Sequence, residues 1–268
     1  MKVLLVLAVL AVLAFLKVWF LQPLIYRVLV SAYGLYIRLG SLVNAKARLW
    51  VSGRRGQFER MKAHQPPAGK KVIWFHCSSL GEFEQARPVI EETRAAYPNA
   101  YIVLTFFSPS GYTVRKDYEM VDAVWYLPLD TPAHAKDFIT LIKPDFVVFV
   151  KYEFWYFYLK TLSEHKIPVI LISAVFRKKQ LFFKWYGRLH KSMLRYFTHI
   201  FVQHQDSLNL LHKYGFKHAE VAYDTRFDRV AAIAKEPFDE EVFDVFTGDY
   251  NVRSEERRVG KECSLPCR

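Results

Sequence analysis

The chain has 268 residues, of which 52% are hydrophobic and 24% are charged. This is enough apolar material for one well-filled core, or for one domain with a small appendage, and it excludes a disordered polar chain. Lys and Arg number 38 against 26 Asp and Glu, so the formal net charge is +12 and favours anionic partners. The 22 Phe, 16 Tyr and 6 Trp favour a membrane surface among such partners. No nucleic-acid-binding motif accompanies the charge, so we expect no nucleic-acid partner.

The first 22 residues are predicted to form a hydrophobic membrane anchor. Residues 3–16 are all Val, Leu, Ala or Phe, and the apolar pattern resumes from Val18 to Leu21 after Lys17. The combined stretch approaches the roughly 20 residues that one span needs, provided that Lys17 extends its amine to the interface. A cleaved signal peptide is the alternative, but no small-residue cleavage site follows. We therefore predict a single, uncleaved N-terminal anchor.

A basic amphipathic segment, residues 23–70, follows the predicted anchor. Its apolar residues recur at helical spacing and are accompanied by several Arg and Lys residues. This pattern is typical of an interfacial, membrane-proximal helix or hairpin, and positive charge just after a span places the remaining chain on the cytoplasmic side. An ordinary amphipathic helix that packs on the next domain is the alternative, and the two are compatible.

From Lys71 onward, short strands rich in Val, Ile, Phe and Tyr alternate with helical stretches. The predicted strands are Val72–Phe75, Tyr101–Phe106, Val124–Leu127, Phe146–Val150, Val169–Ser173, Ile200–Val202 and Glu220–Ala222. The predicted helices are Phe83–Tyr97, Gly111–Tyr118, Ala133–Ile142, Phe154–His165, Leu181–Tyr196 and Ser207–Tyr214. This alternation predicts an α/β fold, a Rossmann-like parallel sheet covered on both faces, over residues 71–235.

Functional side chains in such a sheet collect at the carboxyl ends of the strands. Glu82 follows the first strand and opens a helix, where a carboxylate is favoured as the anion. An ionised carboxylate beside a cleft can accept a proton from a substrate hydroxyl. The same position also suits a first-turn glutamate that only complements the helix dipole, and spacing does not separate the two interpretations.

Three further loops at the same edge carry candidate binding residues. Ser108 and Ser110 precede a helix, where they offer hydroxyls and N–H groups to an anion, or where Ser108 is simply an N-cap. Lys151 and Glu153 stand at a strand end and either pair with each other or bind a phosphate and a hydroxyl. Arg177 begins a basic run that either binds phosphates beside a membrane or is a solvated helix start.

Neither a metal nor a cofactor is predicted. The nine histidines show no metal-ligand spacing. Cys77 follows the first strand and is best interpreted as a buried structural thiol in a reducing compartment.

Five segments, in chain order, resemble the 3-deoxy-D-manno-octulosonic acid (Kdo) transferases of lipopolysaccharide synthesis. Residues 74–82 resemble their W-x-H-x-x-S-x-G-E signature, and residues 126–130 resemble their Y-x-P-x-D segment. The other three resemble E-x-E-L-W, I-P-x-x-L-x-N-A-R and G-N-x-K-F-D, and they lie at residues 151–155, 167–175 and 223–228. One such match is weak, but five in the right order are specific, and the resemblance covers residues 26–230.

The resemblance implies the N-terminal half of a GT-B glycosyltransferase, in which two Rossmann-like domains face a cleft. The N-terminal half would bind a lipid A precursor (lipid IVA), the C-terminal half would bind CMP-Kdo, and the protein would sit on the cytoplasmic face of the inner membrane. Glu82 falls on the family's general base, which deprotonates the acceptor sugar. The implied acceptor-binding residues are Ser79, Gly81, Ser108, Ser110, Lys151, Glu153 and Arg177. The implied reaction needs no metal.

Several positions depart from the family pattern. Lys151 replaces the first glutamate of E-x-E-L-W, which puts a second acidic role there in doubt. Ser173 replaces the usual Asn, and Val175 replaces an Arg for which Arg177 is a candidate substitute. Tyr223 stands where Gly is usual, so it would be strained if that turn needs a positive φ.

The C-terminal end of the sequence departs most from the family pattern. Residues 236–252 are predicted to begin a linker or a truncated second domain. Residues 253–268 resemble translated sequencing-adapter read-through, and we predict a non-native tail. On this interpretation the donor-binding domain is missing and the fragment alone is inactive. Two alternatives stay open: a GT-B transferase with another acceptor, and a non-catalytic membrane-surface module that binds anionic lipid.

Overall fold

The computed structural model describes residues 2–225 and 227, and for residues 2–20 only the backbone. The helices are α1 (Lys2–Gly40), α2 (Ala45–Arg54), α3 (Gln57–Ala63), α4 (Leu80–Ala96), α5 (Pro109–Arg115), α6 (Pro132–Ile142), α7 (Tyr156–Glu164), α8 (Arg188–Tyr196) and α9 (Gln205–Lys213). The strands are β1 (Val72–Cys77), β2 (Tyr101–Phe106), β3 (Ala123–Tyr126), β4 (Phe146–Val150), β5 (Val169–Ala174), β6 (His199–Val202) and β7 (Ala219–Val221). Each predicted strand is confirmed, with ends that move by two residues or fewer.

The seven strands form one parallel sheet in the order β3-β2-β1-β4-β5-β6-β7. The chain builds outward from β1 to β3 and then returns to add β4 on the other side of β1. The sheet therefore has a topological switch point between β1 and β4, and in open α/β sheets the crevice beyond that point is where ligands bind. The predicted Rossmann-like α/β fold is confirmed.

The core lies on both faces of the sheet because successive side chains of a strand point to opposite sides. Trp74 of β1 is fully buried on one face, with its ring centroid 5.0 Å from that of Phe138 and 5.3 Å from that of Phe149. The next residue, Phe75, belongs to the second face, where it joins Phe83 of α4 in a separate apolar cluster. A strand buried on both faces needs the continuous apolar run that the sequence shows.

One predicted helix is wrong in its extent. Residues 181–196 do not form a single helix: a 3-10 turn, Leu181–Phe183, is followed by an irregular link and then by α8. The chain folds back on itself at Gly187, where an added Cβ would lie 1.8 Å from the carbonyl oxygen of Leu181. Only glycine fits that approach, so the helix starts after it.

The helices α1 and α2 pack on the edge of the sheet domain. An added Cβ at Gly34 would lie 2.4 Å from a methyl carbon of Leu129, and one at Gly53 would lie 2.2 Å from the ring of Tyr126. These close approaches show that α1 and α2 pack against the sheet domain, while the interfacial role of residues 23–70 stays a prediction. The outer face of α1 is apolar and exposed to solvent, and Tyr36 on this helix is 74% exposed. Helix α1 runs without a break through Pro23.

Among the described side chains, no single helix is both long and apolar enough to cross a membrane. One bent pair, Leu21–Gly40 with Ala45–Arg54, meets the length and composition needed for a span, with a bend of 117°. In the predicted anchor, residues 1–22, the side chains of residues 1–20 lie outside the described part of the chain. The predicted segments 236–252 and 253–268 lie wholly outside it.

Candidate active site

The carboxyl ends of β1 and β4 meet at the switch point and bring two distant loops together. His76 is the fifth residue of β1, and its Nε2 lies 3.0 Å from Oε2 of Glu153, three residues beyond the end of β4. Both side chains are almost completely buried, with exposures of 0% and 3%. A buried carboxylate is costly unless it is paired, so the two groups depend on each other.

A hydrogen-bond network fixes the histidine ring from the other side. Its Nδ1 lies 2.8 Å from Oγ1 of Thr105, which also accepts a hydrogen bond of 2.8 Å from Nε1 of Trp74. Nε1 of Trp155 donates to Oε2 of Glu153 and lies 3.0 Å from Nε2 of His76. A ring nitrogen donates when it is protonated and accepts when it is not, so the tautomer of His76 decides whether Nε2 donates to Glu153 or accepts from Trp155. These contacts give the buried imidazole and carboxylate hydrogen-bonding partners, which a buried polar cluster needs.

Glu82 lies in the first turn of α4, just after the carboxyl end of β1 and close enough to His76 and Glu153 to feel their charges. Its Oε2 accepts two hydrogen bonds of 2.8 Å from Ser79, one from the backbone N–H and one from the hydroxyl. Partial burial raises the pKa of Glu82 above its ordinary value, and the negative charge of Glu153 adds to the rise. The hydrogen bonds from Ser79 oppose it because they favour the ionised form. A partly exposed carboxylate with a raised pKa suits general base chemistry.

The predicted residues Ser79, Glu82 and Glu153 are therefore close together. Ser79 holds the carboxylate of Glu82 in a capping box. Gly81 is exposed, and an added Cβ there would meet no atom within 4 Å. Packing against neighbouring atoms therefore does not require a glycine at this position.

Ser108 and Ser110 lie in the neighbouring loop. Oγ of Ser108 accepts a hydrogen bond of 3.3 Å from the N–H of Ser110, so the N-cap alternative describes its geometry. The backbone N–H of Ser108 donates to the carbonyl of Ser78 over 2.7 Å. That bond ties the start of α5 to the loop that carries Ser79 and Glu82. The hydroxyl of Ser110 is exposed beside it.

Lys151 and Arg177 are less closely tied to Glu82. Lys151 follows β4 with a φ of 67°, and its Nζ lies 5.5 Å from the ring centroid of Tyr152. Arg177 is exposed, and its backbone N–H donates to Oε1 of Gln180. Among the described residues, neither cation lies within hydrogen-bond or ion-pair distance of Glu82 or Glu153. Their binding roles stay predictions.

Three non-glycine residues at the carboxyl edge adopt left-handed backbone conformations. They are Lys151 after β4, Ser173 near the end of β5, and Tyr223 after β7, with φ angles of 67°, 55° and 56°. The strained turn expected at Tyr223 is present. Such conformations cost about 1 kcal/mol or more each, and they persist where the surrounding fold imposes them, commonly at functional edges.

The segment after β7 supports α4 from behind. Oγ1 of Thr225 donates to the carbonyl of Gln85 over 2.6 Å and lies 3.1 Å from Oγ of Ser173. Nε2 of Gln85 donates to Oδ1 of Asp224 over 3.1 Å. These contacts fix α4 one turn beyond Glu82, so the last of the five motif segments positions the first.

Residue-by-residue interpretation of the sequence missed His76, Thr105 and Trp155 as site residues. A histidine inside an otherwise apolar strand was the available signal, because a buried imidazole needs a partner. The partner could not be identified without the strand order, since Glu153 is 77 residues away.

Comparison with known proteins relates the chain to one family. Residues 53–229 match the family described as 3-deoxy-D-manno-octulosonic-acid transferase (kdotransferase). The 3-deoxy-D-manno-octulosonic acid transferase of Aquifex aeolicus is 33% identical over 123 residues, which are 44% of this chain and 33% of that protein. That of Haemophilus influenzae is 29% identical over 141 residues, which are 52% of this chain and 32% of that protein. The matched region spans about a third of the length of these curated relatives.

Among solved structures, a UDP-N-acetylglucosamine 2-epimerase has a TM-score of 0.49 at 16% identity, with coverage of 65% of this chain and 54% of that one. A second such enzyme, from Neisseria meningitidis, has a TM-score of 0.48 at 18% identity, with coverage of 67% and 55%. The sequence match is the informative one, because it spans well over half of the chain and includes the signature around Glu82. The chain belongs to the 3-deoxy-D-manno-octulosonic-acid transferase (kdotransferase) family.

Proposed function

We propose that this chain is the acceptor-binding, N-terminal half of a GT-B glycosyltransferase that transfers Kdo from CMP-Kdo to lipid IVA in lipopolysaccharide core biosynthesis. The observation that carries the proposal is the placement of Glu82. It is a partly buried carboxylate with a raised pKa, held by Ser79 at the switch point of the sheet, near the buried pair of His76 and Glu153.

In the proposed reaction, Glu82 removes the proton from a hydroxyl of the acceptor sugar. The oxygen forms a bond to the anomeric carbon of Kdo while the bond from that carbon to the phosphate oxygen of CMP breaks, and CMP leaves with the electron pair. The acceptor sugar is proposed to lie against Gly81, where no other atom packs within 4 Å of an added Cβ. Ser108, Ser110, Lys151 and Arg177 are proposed to bind its polar groups, with no metal or cofactor.

The lipid part of the acceptor is proposed to lie in a groove beside this site. A cavity of about 320 Å³ runs between α1, α2 and the start of α5, and its walls include Tyr33, Trp50, Phe107 and Ser108. The ring centroid of Phe107 lies 4.8 Å from that of Trp155, so the groove adjoins the crevice. Aromatic and apolar walls next to a polar crevice suit a lipid with a sugar headgroup.

We further propose that residues 71–235 are the acceptor-binding domain, and that residues 1–22 anchor it to the cytoplasmic face of the inner membrane. The exposed apolar surface of α1 and of the turn after it supports a membrane-facing side, with Leu42 and Val43 at 78% and 88% exposure. Donor binding is assigned to a C-terminal half. Residues 236–252 are proposed as its linker or first segment.

The test is Kdo transfer by the polypeptide that the source locus encodes, sequenced beyond codon 252. Glu82→Gln keeps the size of the side chain and removes the base, so we expect the rate to fall by about 100-fold or more. Glu92→Gln is the matched control, because Glu92 is an exposed glutamate of the same helix. Equal rates for Glu82→Gln and Glu92→Gln would contradict the proposed base.

A non-catalytic module that binds anionic lipid is the second candidate, favoured by the exposed apolar side chains of α1. Such a binder should tolerate Glu82→Gln in all its functions. A transferase with a different acceptor would instead lose activity with Glu82→Gln and turn over another lipid or glycan in an acceptor panel.

A further inference from the structure

The outer side of α8 carries a cavity of about 550 Å³ that the proposed reaction does not use. Four cationic side chains contribute to its walls, together with the aromatic ring of Trp185. The cations are Lys184, Arg188, Lys191 and Arg195. These five residues define the α8 basic pocket.

Helical periodicity gathers these charges. Arg188, Lys191 and Arg195 are spaced three and four residues apart, so they share one face of α8. The opposite face carries Leu189 and Met193, which are buried at 6% and 1% exposure in the core of the domain. Packing of the apolar face therefore fixes the direction of the basic face, which is outward.

The α8 basic pocket has no acidic lining among the described residues. No carboxylate lies within ion-pair distance of Lys184, Lys191 or Arg195 in the part of the chain that the structure describes. On the neighbouring helix α7, by contrast, Lys160 has Glu164 one turn away, 3.6 Å from its amine. Like charges on one helix face repel, so a bound anion would stabilise this arrangement.

The pocket adjoins α1 at Gln22, directly after the apolar N-terminal run of that helix. Nε2 of Gln22 donates to the carbonyl of Tyr186 over 2.8 Å, and its Oε1 accepts from the N–H of Leu189 over 2.8 Å. Trp185 and Tyr186 are 71% and 46% exposed, with ring centroids 5.3 Å apart. Exposed Trp and Tyr beside Lys and Arg are the composition of a membrane interface, which favours a membrane lipid over a dissolved anion.

We propose that the α8 basic pocket binds the phosphate headgroup of an anionic phospholipid at the membrane surface. The proposal rests on the membrane-facing placement given above and not on Kdo transfer. It adds a lipid-specific contact to the apolar one: the N-terminal helix would enter any bilayer, whereas the pocket selects a negatively charged one.

The experiment is flotation of the full 268-residue chain with vesicles of phosphatidylcholine alone and of phosphatidylcholine mixed with phosphatidylglycerol. The test variant combines Lys184→Gln, Lys191→Gln and Arg195→Gln. Each cation near an anionic surface contributes roughly a fivefold gain in partitioning, so the variant should lose on the order of 100-fold of the preference for the anionic vesicles. Its binding to neutral vesicles should not change.

The control variant combines Lys70→Gln, Lys116→Gln and Lys136→Gln. It removes the same charge from exposed positions on other elements, so it should retain most of the preference. Two results would overturn the proposal. The parent chain could bind neutral and anionic vesicles equally well, or the test and control variants could lose the same share of the preference for anionic vesicles. Failure of the transferase proposal is seen separately, because Glu82→Gln should float like the parent chain.

Discussion

At the scale of single residues, the site holds two carboxylates in unlike surroundings. Glu153 is buried against His76, whose Nε2 is 3.0 Å away, and it also accepts from Trp155. Glu82 is only partly buried and accepts two hydrogen bonds from Ser79. Pairs of acids in different surroundings commonly divide their roles. Glu153 is enclosed and almost inaccessible to solvent, which supports the proposal that Glu82, and not Glu153, is the base.

The influence of Glu153 on Glu82 can be tested by titration. Removing a nearby negative charge favours ionisation, so Glu153→Gln should lower the pKa of Glu82 toward its ordinary range. Carboxyl-carbon NMR of Glu82 in the 268-residue chain measures this without needing catalysis. Glu92→Gln on the outer side of α4 should leave the titration unchanged. An unchanged or higher pKa of Glu82 in the Glu153→Gln variant would show that the two side chains are not electrostatically coupled.

If Glu82 is the base, the same raised pKa sets the acid side of the rate profile. Transfer should fall as the pH drops through the pKa of Glu82, because the protonated carboxyl cannot accept the hydroxyl proton. The fall should come at a higher pH than for an ordinary glutamate. In the Glu153→Gln variant the remaining activity should extend to lower pH, since its Glu82 ionises more easily.

At the scale of elements, a buried aspartate joins the helices on one face of the sheet. Asp130 accepts hydrogen bonds from the backbone N–H groups of Phe157 and Tyr158, both 3.0 Å long, at the start of α7. It also accepts from the hydroxyl of Tyr26 in α1 over 2.6 Å. One carboxylate therefore caps α7 and holds α1 against it. This explains why α7 begins at Tyr156, two residues later than predicted.

The stability contributed by Asp130 should depend on pH. Burial raises its pKa from 3.8 to about 6, so the folded chain holds the proton more tightly than the unfolded chain does. The contribution is therefore complete below about pH 4 and declines by about 3 kcal/mol as the pH rises through 6. Asp130→Asn should remove this dependence, whereas Asp137→Asn on the exposed side of α6 should retain it.

Urea unfolding at a series of pH values measures this difference. The free energy of unfolding of Asp130→Asn, relative to the parent chain, should rise between pH 4 and pH 6. A relative free energy that stays flat or falls with rising pH would mean that the hydrogen bonds from Tyr26, Phe157 and Tyr158 lower the pKa of Asp130 at least as much as burial raises it.

Elements set by the local sequence could be predicted, whereas contacts set by the three-dimensional fold could not. Strands β1 to β7 were predictable because continuous apolar runs between turn residues leave few alternatives. The start of α8 was not, because it depends on the approach of Gly187 to the carbonyl of Leu181. Glu82 and Ser79 were predictable as neighbours on one helix turn. The pair of His76 and Glu153 was not, because it depends on β4 being added beside β1.

At the scale of the whole molecule, the long α1 and the short α2 form a layer against one edge of the sheet. Arg54 connects that layer to two strand ends. Its guanidinium donates to the carbonyl of Phe107 over 2.7 Å and to that of Leu127 over 2.9 Å. The same group lies 3.8 Å from the ring centroid of Trp50 and 4.5 Å from that of Tyr126. One side chain therefore links α2, the end of β2 and the end of β3.

Loss of this link should destabilise the whole chain. Arg54→Ala leaves the carbonyls of Phe107 and Leu127 without their donor and removes the stacked guanidinium. Hydrogen bonds from charged donors contribute about 1.5–3 kcal/mol each, so a loss of roughly 3 kcal/mol in the free energy of unfolding is expected. Arg55→Ala is the matched control, because Arg55 is the next residue and is exposed. Its effect should stay within about 0.5 kcal/mol.

The same substitution tests whether the groove and the crevice act as one site. Phe107 contributes to the groove wall, its carbonyl accepts from Arg54, and its ring contacts Trp155 of the crevice. Arg54→Ala should therefore weaken binding of an acylated acceptor more than binding of its deacylated sugar, measured by calorimetry below the unfolding temperature. Equal losses for the two ligands would mean that the α1–α2 layer supports the fold alone, and that the lipid lies elsewhere.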